Sequence, residues 1–223
     1  MKKPLFLIFF ILIVDQILKI WIKLNLSLSE EIPLIGDWCK IHFIENEGMA
    51  FGMSFGGEWG KLILTLFRIV ASILIFIYLK RIIENKESKL VIYSMALIFA
   101  GAVGNIIDSL FYGIIFSEST FFQTATIFEN AYGTFLHGKV VDMFYLPIID
   151  TTFPSWLPFV GGEPFRFFNA IFNIADISIT FGVFILIVSV VFSPKKNQPI
   201  NSNKNEFQNQ EIETKEIIDN ITQ

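Results

Sequence analysis

Apolar and polar positions along the chain separate four long apolar stretches from segments of different texture. The stretches run at about Leu5–Lys23, Leu62–Leu79, Leu90–Ile107 and Ala170–Phe192. Each approaches the roughly 20 apolar residues an α-helix needs to cross a hydrocarbon core. The pattern therefore predicts four transmembrane helices. The first opens MKK before turning apolar, as a secretory signal peptide does. It lacks a small-x-small cleavage site, and Asp15 and Lys19 interrupt its core, so it reads as a retained helix.

The two long connections, about 24–61 and 108–169, are rich in aromatics, Gly and Pro. Within the first, Cys39, Ile41, Phe43 and Glu45 alternate with Lys40, His42, Ile44 and Asn46, which predicts a short strand. Gly48, Gly52, Gly56 and Gly57 follow it. A glycine-rich strand and turn beside a membrane can form a peptide-binding edge, or simply a surface hairpin. Phe116–Gly138 is long for a connection, and its five aromatics from Phe121 to Phe135 suggest a place on the membrane surface.

Positive charge orients the spans. Lys2 and Lys3, then Lys80, Arg81, Lys86 and Lys89, then Lys195 and Lys196 all fall on one side of a four-span arrangement. That side reads as cytoplasmic, with both termini, and the long connections read as external. The polar segment 193–223 reads as a disordered cytoplasmic tail, separate from a membrane domain at 1–192.

Ionisable groups inside spans are costly and usually face an interior or a water-filled cavity. Here they share one depth. Asp15 and Lys19, four apart on one helical face, can pair in the outer half of the first span, near Lys23. Arg68 lies in the outer half of the second. Gly101, Asn105 and Asp108 form one stripe at the outer end of the third, and Asn173 and Asp176 lie near the outer start of the fourth. Asp142, in GKVVDMF, belongs to the external loop leading into the fourth span. The layer reads either as a structural polar network between helices or as a catalytic site.

Composition narrows the chemistry. The chain is 53% hydrophobic with 26 Phe, which agrees with lipid-facing surface, and no basic patch points to nucleic acid. The single cysteine, Cys39, excludes an intrachain disulfide and a cysteine metal cluster. No HExxH or GxSxG motif occurs, and the only histidines, His42 and His137, lie in the external connections. No metal or other cofactor is expected. Carboxylates remain. Two held close together cannot both ionise easily, so one keeps a proton and the pair divides the acid and base roles.

Five stretches carry a resemblance: DQILK (Asp15–Lys19), ENEGMAFG (Glu45–Gly52), GAVGNIIDS (Gly101–Ser109), GKVVDMF (Gly138–Phe144) and FNIADISI (Phe172–Ile179). In this order, over about Lys2–Phe192, the chain resembles the bacterial lipoprotein signal peptidase family, also called signal peptidase II. The resemblance implies a membrane all-α fold: a four-transmembrane-helix bundle with a small extracytoplasmic β-sheet, or cradle, and a surface helix or loop. It implies an aspartic endopeptidase of the bacterial cytoplasmic membrane, with its active site at the outer face. Such an enzyme cuts just before the diacylglyceryl-modified cysteine of a prolipoprotein. Asp142 and Asp176 would be catalytic. Asp15, Gly48, Asn105, Asp108, Asn173 and Ala175 would bind substrate or support the site, with Asn46 in the substrate-holding sheet. The implied partners are the prolipoprotein, membrane lipid and the inhibitor globomycin, acting on a monomer. One departure stands out. The family motif on the third helix ends in Asp-Arg, whereas here it is Asp108-Ser109. Arg68, Lys139 and Arg166 are the candidates to supply that cation. Ser109–Gly138 and Tyr145–Phe168 are also longer than the family norm, which suggests a lid or a partner surface.

Overall fold

Why the apolar stretches become helices is plain from composition, and the computed structural model, which describes residues 2–47 and 57–192, extends each of them. The helices are α1 (Lys2–Asn25), α2 (Gly57–Glu84), α3 (Lys89–Ile107) and α5 (Ile174–Phe192). After α3 the chain winds through a π-helical turn, Asp108–Tyr112, into a last short turn, α4 (Gly113–Ile115). All four long helices are long and apolar enough to cross a membrane, the third counted from Lys89 to Ile115. At about 1.5 Å per residue, even the 19 residues of α5 reach roughly 28 Å. Large apolar side chains such as Phe6, Phe67, Phe76 and Phe184 point outward. In water that surface would be strongly unfavourable; against lipid it costs nothing.

Ser88 caps α3, its hydroxyl accepting the Val91 N–H at 3.3 Å. The fourth helix begins at Ile174, four residues later than its hydropathy suggests. Ile171 and Phe172 are instead a strand, and Asn173 caps the helix.

Among the described residues, six strands lie between the helices. β1 (Glu31–Ile35), β2 (Cys39–Asn46), β3 (Val140–Tyr145) and β6 (Ile171–Phe172) form one antiparallel sheet in the order β1-β2-β3-β6. β4 (Ile149–Thr152) and β5 (Pro164–Phe167) form a separate hairpin within the second long connection. β2 is the strand expected from its alternation. β3 corrects an expectation: Asp142 lies on a strand, not in a loop, opposite Ile44. Val140, Val141, Asp142 and Met143 are all buried, so the segment shows no alternation, and its partner lies almost a hundred residues earlier. Among the described residues no separate surface helix occurs. The 116–139 connection is an irregular loop, pinned by the isolated bridges Phe116–Ile127 and Ser117–Ala131. Phe116, Ser119 and Ala125 in it are buried, whereas Phe121, Phe122 and Phe128 are exposed.

Two apolar clusters hold this together. One joins Ile22 and Leu26 of α1 to Phe43, Val141 and Met143 of the sheet, and to Tyr112 and Phe116. The other joins Ile8, Leu79, Ile82, Met95 and Ala96 at the far ends of the helices. Between them, α3 meets α5 through small residues. A Cβ on Gly101 would sit 2.7 Å from Ile179 Cγ1, and one on Gly182 would sit 2.7 Å from the Ser94 carbonyl. Ser178 donates to the Leu97 carbonyl at 2.8 Å across the same seam. Close approach of backbones through small residues is the common way apolar helices associate in lipid. The described residues to Val190 form one compact unit; the tail beyond Phe192, read above as a disordered segment, lies outside the described residues.

Candidate active site

The helix ends beside the sheet bring their polar residues into one network. Its base is a buried ion triad. The Lys19 ammonium lies 2.9 Å from Asp15 and 2.8 Å from Asp108, with all three side chains fully buried. One cation between two carboxylates leaves a surplus negative charge, which burial makes costly unless donors surround it. They do. Gln16 Nε2 donates to Asp15 at 3.1 Å and to Asp108 at 2.9 Å, and the Ala175 N–H donates to Asp15 at 2.9 Å. Tyr112 in turn donates to Gln16 Oε1 at 3.1 Å. The position of Gly104 permits this approach, since a Cβ there would stand 2.9 Å from the Asp15 carboxylate and 3.1 Å from Ala175 Cβ.

The same lysine reaches upward to Asn105 Oδ1 at 3.0 Å. Asn105 Nδ2 donates to Asp176 Oδ1 at 2.8 Å. Asn173 is the node beside it. Its Nδ2 donates to Asp142 Oδ1 at 2.7 Å and to Asn105 Oδ1 at 3.1 Å. Its Oδ1 accepts the Asp176 N–H at 2.9 Å, while Asp176 Oδ2 accepts the Asn173 N–H at 3.3 Å. That reciprocal pair is a capping box. It places Asp176 in the first turn of α5, where the helix dipole favours negative charge. Asn46 on β2 donates to the other Asp142 oxygen, Oδ2.

Asp142 and Asp176 thus share Asn173, one carboxyl supplied by the sheet and the other by a helix start. Asp142 is 5% exposed, and burial, then the neighbouring charge of Asp176, pushes its carboxyl up to about 8. A carboxylic acid that keeps its proton at neutral pH, beside a second carboxyl, is an arrangement that can carry out acid–base hydrolysis of an amide. Among the described residues no three His, Cys, Asp or Glu side chains form a metal-binding group.

Eight of the nine expected site residues fall in this network or its immediate support: Asp15, Asn46, Asn105, Asp108, Asp142, Asn173, Ala175 and Asp176. Ala175 contributes its backbone, and Gly48 lies outside the described residues. The sequence reading passed over Gln16, which follows Asp15 directly and could have been flagged as a polar residue inside an apolar span. It also missed a second cluster. Buried Lys23 pairs with Glu45 and lies 3.0 Å from Ser119 Oγ and 4.9 Å from the centre of the Tyr132 ring. Lys139 approaches Glu45 at 3.9 Å and Glu118 at 3.7 Å. These groups fasten the 116–139 loop to α1 and β2, and burial pushes the Tyr132 phenol above its ordinary range.

Ser109 is buried and back-bonds to the Asn105 carbonyl at 3.1 Å, so it adds no charge. Of the three cations considered in its place, Arg166 pairs with Asp150 on the exposed β4–β5 hairpin and Lys139 belongs to the Glu45 cluster. Arg68 interacts electrostatically with Asp176, Asp142 and Asp108.

Comparison with known proteins agrees with this arrangement. Residues 7–192 match the family described as Signal peptidase (SPase) II. The lipoprotein signal peptidase of Porphyromonas gingivalis is 46% identical over 202 residues, covering 86% of this chain and 87% of the relative. That of Amoebophilus asiaticus is 34% identical over 179 residues, covering 79% of this chain and 72% of the relative. A solved bacterial membrane enzyme superposes with a TM-score of 0.58 at 23% identity, covering 90% of this chain and 96% of that one, a likeness of fold. The chain belongs to the signal peptidase II family.

Proposed function

We propose that Asp142 and Asp176 are the catalytic dyad with which this peptidase removes signal peptides from prolipoproteins. The observation that carries this reading is the pair of carboxyl groups joined through Asn173, one of them raised to about 8 by burial and its neighbour's charge. In the reaction, the protonated member polarises the scissile carbonyl and the ionised member takes a proton from water. As the tetrahedral adduct collapses, the proton taken from water passes to the departing amine nitrogen, the C–N bond breaks, the polarised carbonyl re-forms as the signal peptide's new C-terminal carboxyl group, and the lipid-modified cysteine is left with a free amino terminus. Asn46, Asn105 and Asn173 fix both carboxyls, because each places an amide N–H on one of them. The Asp15–Lys19–Asp108 triad holds α1, α3 and α5 so that this geometry persists.

The four helices cross the cytoplasmic membrane as a bundle with both termini inside. The sheet is an extracytoplasmic cradle along which the precursor lies extended, with Asn46 in its floor. The acyl chains of the diacylglyceryl group stay in the bilayer, which accounts for a site where spans meet sheet. The enzyme works as a monomer, globomycin blocks it by occupying the dyad, and segment 193–223 is a cytoplasmic tail outside the catalytic unit.

The test uses the purified full chain and a diacylglyceryl-modified precursor. Asp142→Asn and Asp176→Asn should each keep the wild-type unfolding temperature and leave the precursor uncut. Wild-type cleavage should stop with globomycin. Full activity in either variant would remove that residue from the reaction.

A further inference from the structure

Asp142 takes side-chain amides from two sides: from Asn173 beside the start of α5 and from Asn46 on β2. The two donors are not held alike. Asn173 is fully buried and also donates to Asn105 and to the Val141 carbonyl. The strand that carries Asp142 is pinned where it begins. The Gly138 N–H donates to the Ser109 carbonyl at 2.9 Å, and the Lys139 N–H to the Tyr132 hydroxyl at 2.6 Å. Asn46, by contrast, is the last residue of β2. The register of β1 on β2 ends at His42, and Phe43 closes that edge through its backbone bonds to Ser29 and Glu30. From Ile44 to Asn46 the described backbone pairing is with β3 alone. The further hold on this strand end is the Glu45 side chain.

Successive residues of a strand point to opposite faces. Asn46 turns to Asp142, and Glu45 turns to α1 and the 116–139 loop. There Lys23 pairs with Glu45 Oε1, which also accepts the Ser119 hydroxyl at 2.8 Å. Lys23 donates to Ser119 Oγ at 3.0 Å, which closes a triangle, and Lys139 lies 3.9 Å from Glu45 Oε2. Lys23 and Ser119 are buried, and the Glu45 side chain is 3% exposed. Charge-assisted hydrogen bonds are about twice as strong as neutral ones, and burial keeps water from competing for these. The triangle is itself anchored on the helix. The Ala125 N–H donates to the Lys23 carbonyl at 3.2 Å, and the Leu28 N–H donates to the Thr120 carbonyl at 2.9 Å.

We propose that Glu45 is a positioning residue of the reaction: clamped from behind the sheet by Lys23 and Ser119, it fixes the end of β2 so that the Asn46 amide stays on Asp142. This rests on the dyad reading above. Glu45 acts through its neighbour in sequence and not on the reacting atoms. Its opposite number across the ladder is Val141, and that of Asn46 is Val140, so a shift of this strand end carries Asn46 away from Asp142. A cluster that only stabilised the loop would matter to folding and not to turnover.

The experiment measures kcat and KM separately on a diacylglyceryl-modified precursor peptide, with the purified full chain. Lys23→Met/Glu45→Leu replaces the ion pair by an apolar pair of similar size, an exchange that buried pairs often tolerate. It should keep the wild-type KM and lower kcat by about tenfold or more, as small displacements of a catalytic group do. Asn46→Ala should lower kcat to a similar extent. Combining all three changes should lower it no further than Asn46→Ala alone, because both act on one interaction. Wild-type kcat in Lys23→Met/Glu45→Leu overturns the proposal, and so does a loss that multiplies with that of Asn46→Ala. If Lys23→Met/Glu45→Leu loses its fold, Glu45→Asp decides. It keeps the charge and shortens the reach by one methylene, so kcat should fall, and Asn46→Ala should absorb the fall. An unchanged kcat in Glu45→Asp overturns the proposal. Activity in Asp142→Asn or Asp176→Asn would instead sink the dyad, so the two failures are distinguishable.

Discussion

Asn173 carries more of the site than any residue outside the proposed dyad, and replacing it by alanine is the sharpest test of the network. The change deletes four described contacts: Nδ2 to Asp142 at 2.7 Å, to Asn105 at 3.1 Å and to the Val141 carbonyl at 3.2 Å, and Oδ1 from the Asp176 N–H at 2.9 Å. Loss of an N-cap costs about 1 kcal/mol. Leaving buried acceptors on Asp142 and Val141 without this donor adds about 1–3 kcal/mol. The expected destabilisation is thus about 2–4 kcal/mol. For a chain of this size that lowers the unfolding temperature by roughly 4–15 °C. The assay is thermal unfolding of the detergent-purified protein beside cleavage of a lipidated precursor. Asn173→Asp separates the two roles. It keeps the cap oxygen, so stability should fall less than in Asn173→Ala. It also puts a third carboxyl against Asp142 and Asp176, so cleavage should fall at least as far. Equal unfolding temperatures for wild type and Asn173→Ala would refute the reasoning, as would an Asn173→Asp protein that cuts at the wild-type rate.

Three further outcomes follow from the geometry. The Asp142 carboxyl is raised in the folded protein, so its contribution to stability is complete below about pH 4 and is lost as pH rises through about 8; unfolding temperatures across that range should slope down more in wild type than in Asp142→Asn, and matching slopes would contradict the burial argument. Lys23→Met strands the buried Glu45 carboxylate, with Lys139 left 3.9 Å away, and should cost about 3–5 kcal/mol; adding Glu45→Gln should recover much of that, and additive losses in the double variant would show that the pair is not coupled. Gly104→Leu drives a side chain into Asp15 and Ala175 at distances already at 2.9 and 3.1 Å for a Cβ alone; expression and activity should both collapse, while Gly162→Ala, where a Cβ meets nothing within 4 Å, should cost only the strain of a positive φ.

The amino-acid sequence by itself determined the four apolar helices, the common depth of their polar residues and the strand at Cys39–Asn46. These are local properties: composition over about 20 residues, helical spacing and alternation. The Asp15–Lys19 pair was legible for the same reason, being one helical turn apart. What joins elements distant in sequence was not legible. Asp142 is buried on a strand with no alternation to announce it, and only pairing with β2 places it. Lys19 bridging to Asp108, Asn173 bridging Asp142 to Asn105, and Glu45 closing on Lys23 each span from about twenty to ninety residues of chain. The rank of Arg68 among three candidate cations likewise came from packing: Arg166 pairs with Asp150 and Lys139 with Glu45, while Arg68 interacts electrostatically with Asp176, Asp142 and Asp108. Periodicity shows which face of an element is polar; only packing shows which polar face it meets. That is why periodicity could place Asn173 and Asp176 in a polar layer, while Asp142 and Asp176 were named as a pair only by the family resemblance and their shared partner Asn173 only by the fold.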